Sequence, residues 1–302
     1  LKCLLSIKNK KITPSKYLTK FIGAKSDPTY INTETIDLKN SSSLRFGISS
    51  FGFGNANFHV VLDEFNEDVK ISDNLKKENE MDIAVIAKSV ISPEEIDFDL
   101  IVSKFKIPFK SLSHIDKVQL QALLAVDKVF EKANIDVSFL DKENVSVISA
   151  SSLGLDSALD LMRRVRHFEF IDALNFLDHD SLDMMIKHKE KFIEITEDTG
   201  PGVLNNVIAG RICNAFDFNG ENFNIDSDFN SASVALSVAM QKLNKKEGIV
   251  VLVHCDEKLS EDGSLIERKT VGCSLLSTIE FAKANNYPIC EIIEKINFYD
   301  SK

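Results

Sequence analysis

Short apolar runs alternate with segments of helical periodicity through most of the chain. The runs DIAVIAKS (82–89), NVSVISAS (144–151) and EGIVVLVHCDE (247–257) have the length and apolar content of buried strands. Between the first two lies LSHIDKVQLQALLAVDKVFEKANID (112–136), in which apolar residues recur at helical spacing. Buried strands that alternate with helices predict an α/β fold, with a mixed sheet covered by helices on both faces.

Residues 201–243 carry the most informative local pattern. We predict a helix, a turn at Asn219–Gly220, the strand NFNID, a sharp bend, and a buried helix from about Ser231 to Leu243. A residue in such a bend lies at a helix N-terminus. There, the helix dipole and free backbone N–H groups lower the pKa of a thiol and stabilise an oxyanion. The segment therefore has the layout of a nucleophile elbow.

The same segment resembles the β-ketoacyl synthases, whose thiolase-type fold contains this elbow. The matching positions are Gly202, Ala209–Gly210–Arg211, Phe216, Gly220, Asp226, Ser231 and Val234–Ala235–Leu236. In that register the active-site cysteine of the family falls on Phe229, which has no lone pair and no titratable proton. The resemblance implies a thiolase-type layered fold with a mixed five-stranded sheet between helices. It also implies a domain that lacks the residue needed for condensation.

Three neighbouring residues are candidates for a substitute nucleophile. Ser227 and Ser231 flank Phe229, but neither has a recognisable histidine partner, and an unassisted serine is a weak nucleophile at neutral pH. Cys213 lies in the predicted helix before the strand, where a buried structural thiol is the default interpretation. An active acyltransferase or decarboxylase that uses Ser227 or another non-cysteine residue is the alternative to a non-catalytic domain.

The first 65 residues resemble the other end of the same family. In RFGISSFGFGNANFHVVLDE, the residues Gly52, Phe53 and Gly54 match a turn that in the family holds a phenylalanine as a gate beside the active cysteine. Glycines permit close backbone approach and positive φ angles at such a turn. The family continues with Gly-Thr-Asn, whereas this chain has Asn55–Ala56–Asn57. We expect this departure to weaken a contact on the oxyanion side.

These resemblances predict the domain order. Residues 1–65 form the C-terminal end of one ketoacyl synthase domain, 66–80 a charged linker, and 81–302 the N-terminal half of a second, cysteine-free domain. Both copies are then incomplete, and the two catalytic histidine motifs of the family are absent from these residues. Tandem domains of this kind occur in polyunsaturated fatty-acid synthases, where the second is called a chain-length factor; cysteine-free domains also occur in polyketide synthases.

The resemblance also implies partners. A chain-length factor pairs with an active ketoacyl synthase through the edge of its central sheet and helps to shape the acyl tunnel. The growing chain is carried on the phosphopantetheine arm of an acyl carrier protein, and no cofactor is expected to bind directly.

One further alternative concerns SLGLDSALDLM, where Ser157 resembles a phosphopantetheine attachment site. Because a buried strand runs directly into it, we favour a strand-to-helix turn with Asp156 or Ser157 as an ordinary N-cap.

Net charge and cysteine content argue against several classes of partner and site. A formal net charge of −10 argues against nucleic-acid or acidic-membrane partners, which require basic patches. No apolar run reaches the roughly 18 residues of a membrane span. The five cysteines are scattered without a CxxC pair, which suits a reducing cytoplasm and predicts no metal site. Arg163, Arg164 and Arg166 with His167 form a small basic cluster, which we interpret as an exposed helix face rather than a carrier-protein contact.

Overall fold

The computed structural model describes residues 1–17, 30–39, 43–52, 57–66, 82–151, 156–173, 178–192, 194–227, 230–246, 248–259 and 265–294. The chain divides into two compact units. One contains Leu1–Phe51 and Asn57–Leu75, and the other contains Gly52–Ala56 and Lys76–Lys302. The predicted linker lies outside the described residues, apart from Asn66.

The described residues of the smaller unit form one helix and two pairs of strands. Its elements are α1 (Lys2–Asn9), β1 (Lys11–Ile12), β2 (Ile36–Asp37), β3 (Arg45–Phe51) and β4 (Asn57–Asp63). β3 and β4 pair antiparallel in a register that runs from Arg45↔Asp63 to Phe51↔Asn57. The two strands lie on either side of residues 52–56, which contain the predicted Gly52–Gly54 turn. Gly52 directly follows β3, whereas Phe53 and Gly54 lie outside the described residues.

The larger unit alternates strands and helices in the predicted manner. Its first elements are β5 (Ile83–Ile91), α2 (Phe98–Phe105), α3 (Lys117–Lys132), β6 (Val145–Ala150), α4 (Asp156–Val165), α5 (His167–Ala173) and α6 (His179–His188). The remainder are α7 (Thr199–Val203), α8 (Val207–Phe216), β7 (Asn222–Ile225), α9 (Ser231–Lys245), β8 (Ile249–Leu259), β9 (Leu265–Thr278), α10 (Ile279–Ala284) and β10 (Glu291–Ile293). A 3₁₀ turn, Phe109–His114, precedes α3.

The strands of the larger unit form one mixed sheet in the order β10–β5–β9–β8–β6–β7. β6 runs parallel to both β7 and β8, and the other neighbours are antiparallel. The mixed α/β sheet is therefore as predicted, but the number of strands is not. Within the described residues the sheet has six strands rather than five, because residues 291–293 add a short edge strand through antiparallel pairing with β5.

Helices cover both faces of this sheet, as the sequence predicts. Successive residues of a strand point to opposite faces, so Val147 packs with the α3 and α8 side, whereas Ile148 packs with α9. On the first face, Leu123 of α3 and Ile212 of α8 are fully buried. On the second face, α9 contributes Ala235, Ala239, Met240 and Leu243. None of the helices in the described part of the chain has the length and apolar character that crossing a bilayer requires.

Candidate site at the strand–bend–helix

The predicted bend lies between β7, which ends at Ile225, and α9, which begins at Ser231. Two hydrogen bonds close it: Ser227 N–H donates to Ser231 Oγ at 2.8 Å, and Asn230 N–H donates to the Ser227 carbonyl at 3.0 Å. Ser231 is buried, and Asp226 and Ser227 are exposed. Phe229 falls inside the bend and outside the described residues. The strand and helix predicted on either side of it are confirmed.

A largely buried cluster of amides and hydroxyls supports the bend from the ends of β6 and β7. Asn224 Oδ1 accepts hydrogen bonds from Ser149 Oγ at 2.8 Å and Ser151 Oγ at 3.2 Å. The Ser151 carbonyl accepts from Asn224 Nδ2 at 3.2 Å and from Asn205 Nδ2 at 3.3 Å. Because these polar groups satisfy one another, they hold the carboxyl ends of the two strands in one geometry.

Gly202 lies where α7 meets the turn before α3. A Cβ atom added at Gly202 would lie 1.8 Å from the His114 carbonyl oxygen, so no other residue fits without backbone movement. The Gly202 carbonyl accepts a hydrogen bond from the backbone N–H of Asp116 at 2.9 Å. Gly220, the other turn glycine of the matching pattern, is equally confined, because its Cβ would lie 2.3 Å from the Val145 carbonyl oxygen. Both glycines permit close backbone approach.

Gln119 joins two of the predicted positions, Gly202 and Arg211. Its side chain is 1% exposed, and its Nε2 donates to the carbonyls of Pro201, Gly202 and Leu204 at 2.9, 2.8 and 3.1 Å. Its Oε1 accepts from Arg211 Nε at 2.7 Å. Burial lowers the pKa of Arg211, and the nearby charge of Asp198 opposes that shift. Arg211 therefore serves to anchor α8 to α7 through Gln119 within the described structure.

Asp116 connects the start of α3 to the start of α4. Its carboxylate is buried; Oδ1 accepts from Val118 N–H at 3.0 Å and Oδ2 from Ser157 N–H at 3.1 Å. The expectation that Asp156 or Ser157 caps α4 is wrong, because α4 begins at Asp156, and Ser157 N–H is satisfied by Asp116 from another helix. No local pattern indicated this contact, since the acceptor lies about 40 residues away along the chain.

The five cysteines differ in burial. Burial raises the pKa of Cys213, on α8, to about 12, and it also raises the pKa of Cys273, on β9. Cys290 is exposed, and Cys3 and Cys255 are half-buried. No cysteine occurs in the sequence between Cys213 and Cys255, so none can lie in the bend. Buried, protonated thiols are poor nucleophiles, which fits the structural interpretation of Cys213.

The predicted site residues thus fall into three groups. Gly202 and Arg211 are brought together by Gln119, and Asp226 and Ser231 flank the bend. Gly52 is described in the turn after β3, while Phe53, Gly54 and Phe229 lie outside the described residues. Sequence reasoning missed Gln119, which joins Gly202 to Arg211, and Asn224, which bonds to the end of β6. The signal for Asn224 was an amide side chain that follows Phe223 and precedes Ile225 in the strand.

Known proteins share both sequence and fold with this chain. Residues 73–278 match the family model "Beta-ketoacyl synthase, N-terminal domain". A polyunsaturated fatty acid synthase subunit from Thraustochytrium sp. (strain ATCC 26185 / S-3) is 28% identical over 152 residues. That alignment covers 49% of this chain and 5% of the relative, so the chain spans a small part of that protein's length.

Two solved structures share the fold at low sequence identity. The PfaC keto synthase–chain length factor has a TM-score of 0.67 and 14% identity, over 92% of this chain and 38% of that one. The AntDE:AntF complex, a type II PKS acyl-carrier protein with its ketosynthase bound to the hexaketide, has a TM-score of 0.50 and 12% identity. That likeness covers 71% of this chain and 67% of the other.

The layered α/β arrangement and these likenesses define a thiolase-type fold. Because the family model matches most of the residues, the chain belongs to the β-ketoacyl synthase family.

Proposed function

We propose that the chain is part of a multidomain fatty-acid or polyketide synthase, and that residues 81–302 form a non-catalytic partner domain of the chain-length-factor type. The observation that carries the proposal is Phe229, which occupies the position of the nucleophilic cysteine in the register of the family. A phenylalanine cannot form an acyl thioester. Apolar bulk is tolerated where a thiol stood, so the fold survives the replacement while the chemistry is lost.

The state of the neighbouring nucleophiles supports this proposal over the active-enzyme alternative. Ser231 Oγ accepts a hydrogen bond from the Ser227 N–H, so this buried hydroxyl has a structural role in the bend. Cys213 is buried with a raised pKa, and it lies on a different helix. Ser227 is exposed, and the active-enzyme alternative requires Ser227 or another non-cysteine residue as its nucleophile.

A ketoacyl-synthase-type partner is proposed to pair through the β7 edge of the sheet. β7 is the outermost strand on its side, and no described strand pairs with its outer edge. Unpaired N–H and C=O groups on an edge strand favour pairing with another chain or domain. The bend that contains Phe229 in sequence follows β7 directly. A partner at this edge would therefore contact the strand that leads into the bend, and together the two domains would complete an acyl tunnel.

The remaining roles follow from the same proposal. The acyl chain would arrive on the phosphopantetheine arm of an acyl carrier protein, and the carrier complex of the AntDE:AntF structure supports such a partner. Residues 1–65 are proposed to end a preceding ketoacyl synthase domain, with Gly52, Phe53 and Gly54 as its acyl-pocket gate. The β3–β4 pairing on either side of the turn supports this assignment.

Changing the size of residue 229 in the parent synthase tests the proposal. Phe229→Ala removes apolar bulk at the bend, and we expect the distribution of product lengths to move toward longer chains. Phe229→Leu keeps most of the bulk and serves as the matched control, with a smaller change. The rate of condensation should stay within about twofold in both variants, since a non-catalytic domain supplies no reacting group. A loss of all condensation by well-folded Phe229→Leu would instead favour a catalytic role for this domain.

A further inference from the structure

A cavity lies among α4, α5 and α6 and the residues that follow them. Its volume is about 670 Å³, which is within the range of small-molecule binding sites. Each of the three helices contributes an apolar side chain to the lining, and so does the segment after α6: Met162, Ala173, Met185 and Phe192. Two of these are methionines, whose flexible thioether side chains adapt to ligands of different shape. The apolar part of the cavity therefore suits a hydrocarbon chain.

Two guanidinium groups line the same cavity. Arg163 Nη1 donates to Asp160 at 3.0 Å, and Arg166 Nε donates to Glu169 at 2.7 Å. Both are exposed pairs, which contribute little to stability. Because a guanidinium has five N–H donors, neither pair occupies all the donors of its arginine. Among the described lining residues, Glu169 opposes two arginines, so the lining has a positive balance in a chain of net charge −10.

Two histidines and a phenylalanine hold the wall of the cavity. His167 is 8% exposed, and its Nε2 donates to the Met185 carbonyl at 2.8 Å, which joins α5 to α6. The Phe192 ring packs edge-on against His167 and His188, with ring centroids 5.8 and 5.3 Å apart. These contacts fix the wall before a ligand enters, which reduces the entropy that binding costs.

We propose that this cavity binds an unesterified fatty acid. Its carboxylate pairs with Arg163 and Arg166 through charge-assisted hydrogen bonds, which the planar guanidinium group favours. Its hydrocarbon chain covers Met162, Met185 and Phe192. A fatty acyl thioester has no carboxylate and would leave both guanidinium groups unused, so the lining favours a released acid over a carrier-bound one.

The inference rests on the proposed function only for the source of the acid. In a fatty-acid synthase, a released acid belongs to the class of the product. Its binding to a domain that supplies no reacting group would give the product a site at which to regulate the synthase. The cavity and its charge are features of the chain itself.

Calorimetric titration of the full chain with sodium dodecanoate, kept below its micelle-forming concentration, tests the inference. Dodecanol has the same hydrocarbon chain without the charge, and dodecyltrimethylammonium has it with the opposite charge. We expect one dodecanoate to bind per chain, dodecanol to bind about tenfold more weakly, and dodecyltrimethylammonium to bind more weakly still. Equal affinity for dodecanoate and dodecanol would overturn the inference, as would no binding of dodecanoate.

Arg163→Gln/Arg166→Gln tests the part of the site that holds the carboxylate. We expect this double variant to bind dodecanoate about tenfold more weakly and dodecanol within about twofold of the unaltered chain. Lys245→Gln/Lys283→Gln is the matched control, because it changes the net charge equally at two exposed lysines on α9 and α10. Equal weakening by both double variants would mean a non-specific charge effect, and the inference would be wrong.

Met162→Glu tests the apolar part of the site. The new carboxylate replaces a lining side chain and repels that of the ligand, so we expect dodecanoate to bind at least about tenfold more weakly. Met184→Glu is the control, because Met184 is an exposed methionine of α6 that does not line the cavity. Equal weakening by both variants would place the ligand elsewhere. These results leave the effect of residue 229 on product length intact, so the two proposals fail separately.

Discussion

Arg211 and Gln119 are joined by a hydrogen bond of 2.7 Å between Arg211 Nε and Gln119 Oε1. The bond connects α8 to α3, and the other end of the same amide holds three carbonyls at the end of α7. Gln119 is thus the point at which the segments before and after the Gly202 turn are fixed to the core. Arg211, which matches a family position in sequence, is held by this amide.

Gln119→Leu should therefore destabilise the larger unit. Leucine has a similar volume but leaves the Arg211 Nε–H without its acceptor and removes one hydrogen bond from each of three carbonyls. We expect a loss of about 2–4 kcal/mol in the free energy of unfolding, measured by urea denaturation. Gln121→Leu is the matched control, because this equally buried amide makes one such bond, to the Ile91 carbonyl at 3.0 Å. It should cost about 1 kcal/mol; equal losses would contradict the assigned network.

Gly202→Ala should also destabilise the fold. The new methyl group would lie 1.8 Å from a backbone oxygen, which cannot move aside as a flexible side chain can. We expect a loss of about 1–3 kcal/mol in thermal or urea unfolding. Gly200→Ala, two residues earlier in the same helix, meets nothing within 4 Å and should be neutral or stabilising by up to about 1 kcal/mol. A comparable loss in both variants would show that the close approach at Gly202 is not what constrains this turn.

Ser231→Ala distinguishes a structural hydroxyl from a reacting one. The substitution removes the acceptor of the Ser227 N–H, and we expect a loss of about 1 kcal/mol in unfolding free energy. Ser233→Ala, at an exposed position of the same helix, should be neutral. Neither variant should alter synthase activity beyond its effect on stability. A large fall in turnover by folded Ser231→Ala would support the active-enzyme alternative.

Thiol reactivity provides a fourth test. Because burial raises the pKa of Cys213 to about 12, its thiolate fraction at pH 8 is on the order of 10⁻⁴. Brief iodoacetamide treatment at pH 8 should label the exposed Cys290 and spare Cys213 and Cys273. Peptide mapping gives the sites, and the unfolded chain, in which all five cysteines react, is the control. Rapid labelling of Cys213 in the folded protein would show that this thiol is not inert.

The course of the chain was predictable where periodicity and turn chemistry are local. The α9 helix from Ser231 and the β7 strand depend on short-range patterns, and the structure confirms them. The predicted Asn219–Gly220 turn falls in the link between α8 and β7. The sixth strand was missed only in the five-strand count that the family resemblance implied, because its segment, YPICEIIEKINFY, has the apolar pattern of a strand. Residues 291–293 of that segment pair with β5 at the edge of the sheet.

The candidate site was predictable in part. The position of Phe229 between a strand and a helix followed from local pattern, and its meaning followed from family register. The supporting polar groups did not follow from either. Gln119 meets Arg211 across 92 residues of chain, and Asp116 caps a helix that begins about 40 residues later. Contacts of this kind arise from tertiary packing, which neither propensity nor spacing encodes.

Mapping of acyl groups on the parent protein tests the central claim most directly. The protein, carrying both complete domains, is incubated with malonyl- or acyl-carrier protein and analysed by intact-mass spectrometry and peptide mapping. We predict acyl label only on the preceding ketoacyl synthase domain and none on a peptide between Asn222 and Leu243. Label on that peptide would mean that the second domain has its own nucleophile, and the non-catalytic assignment would be wrong.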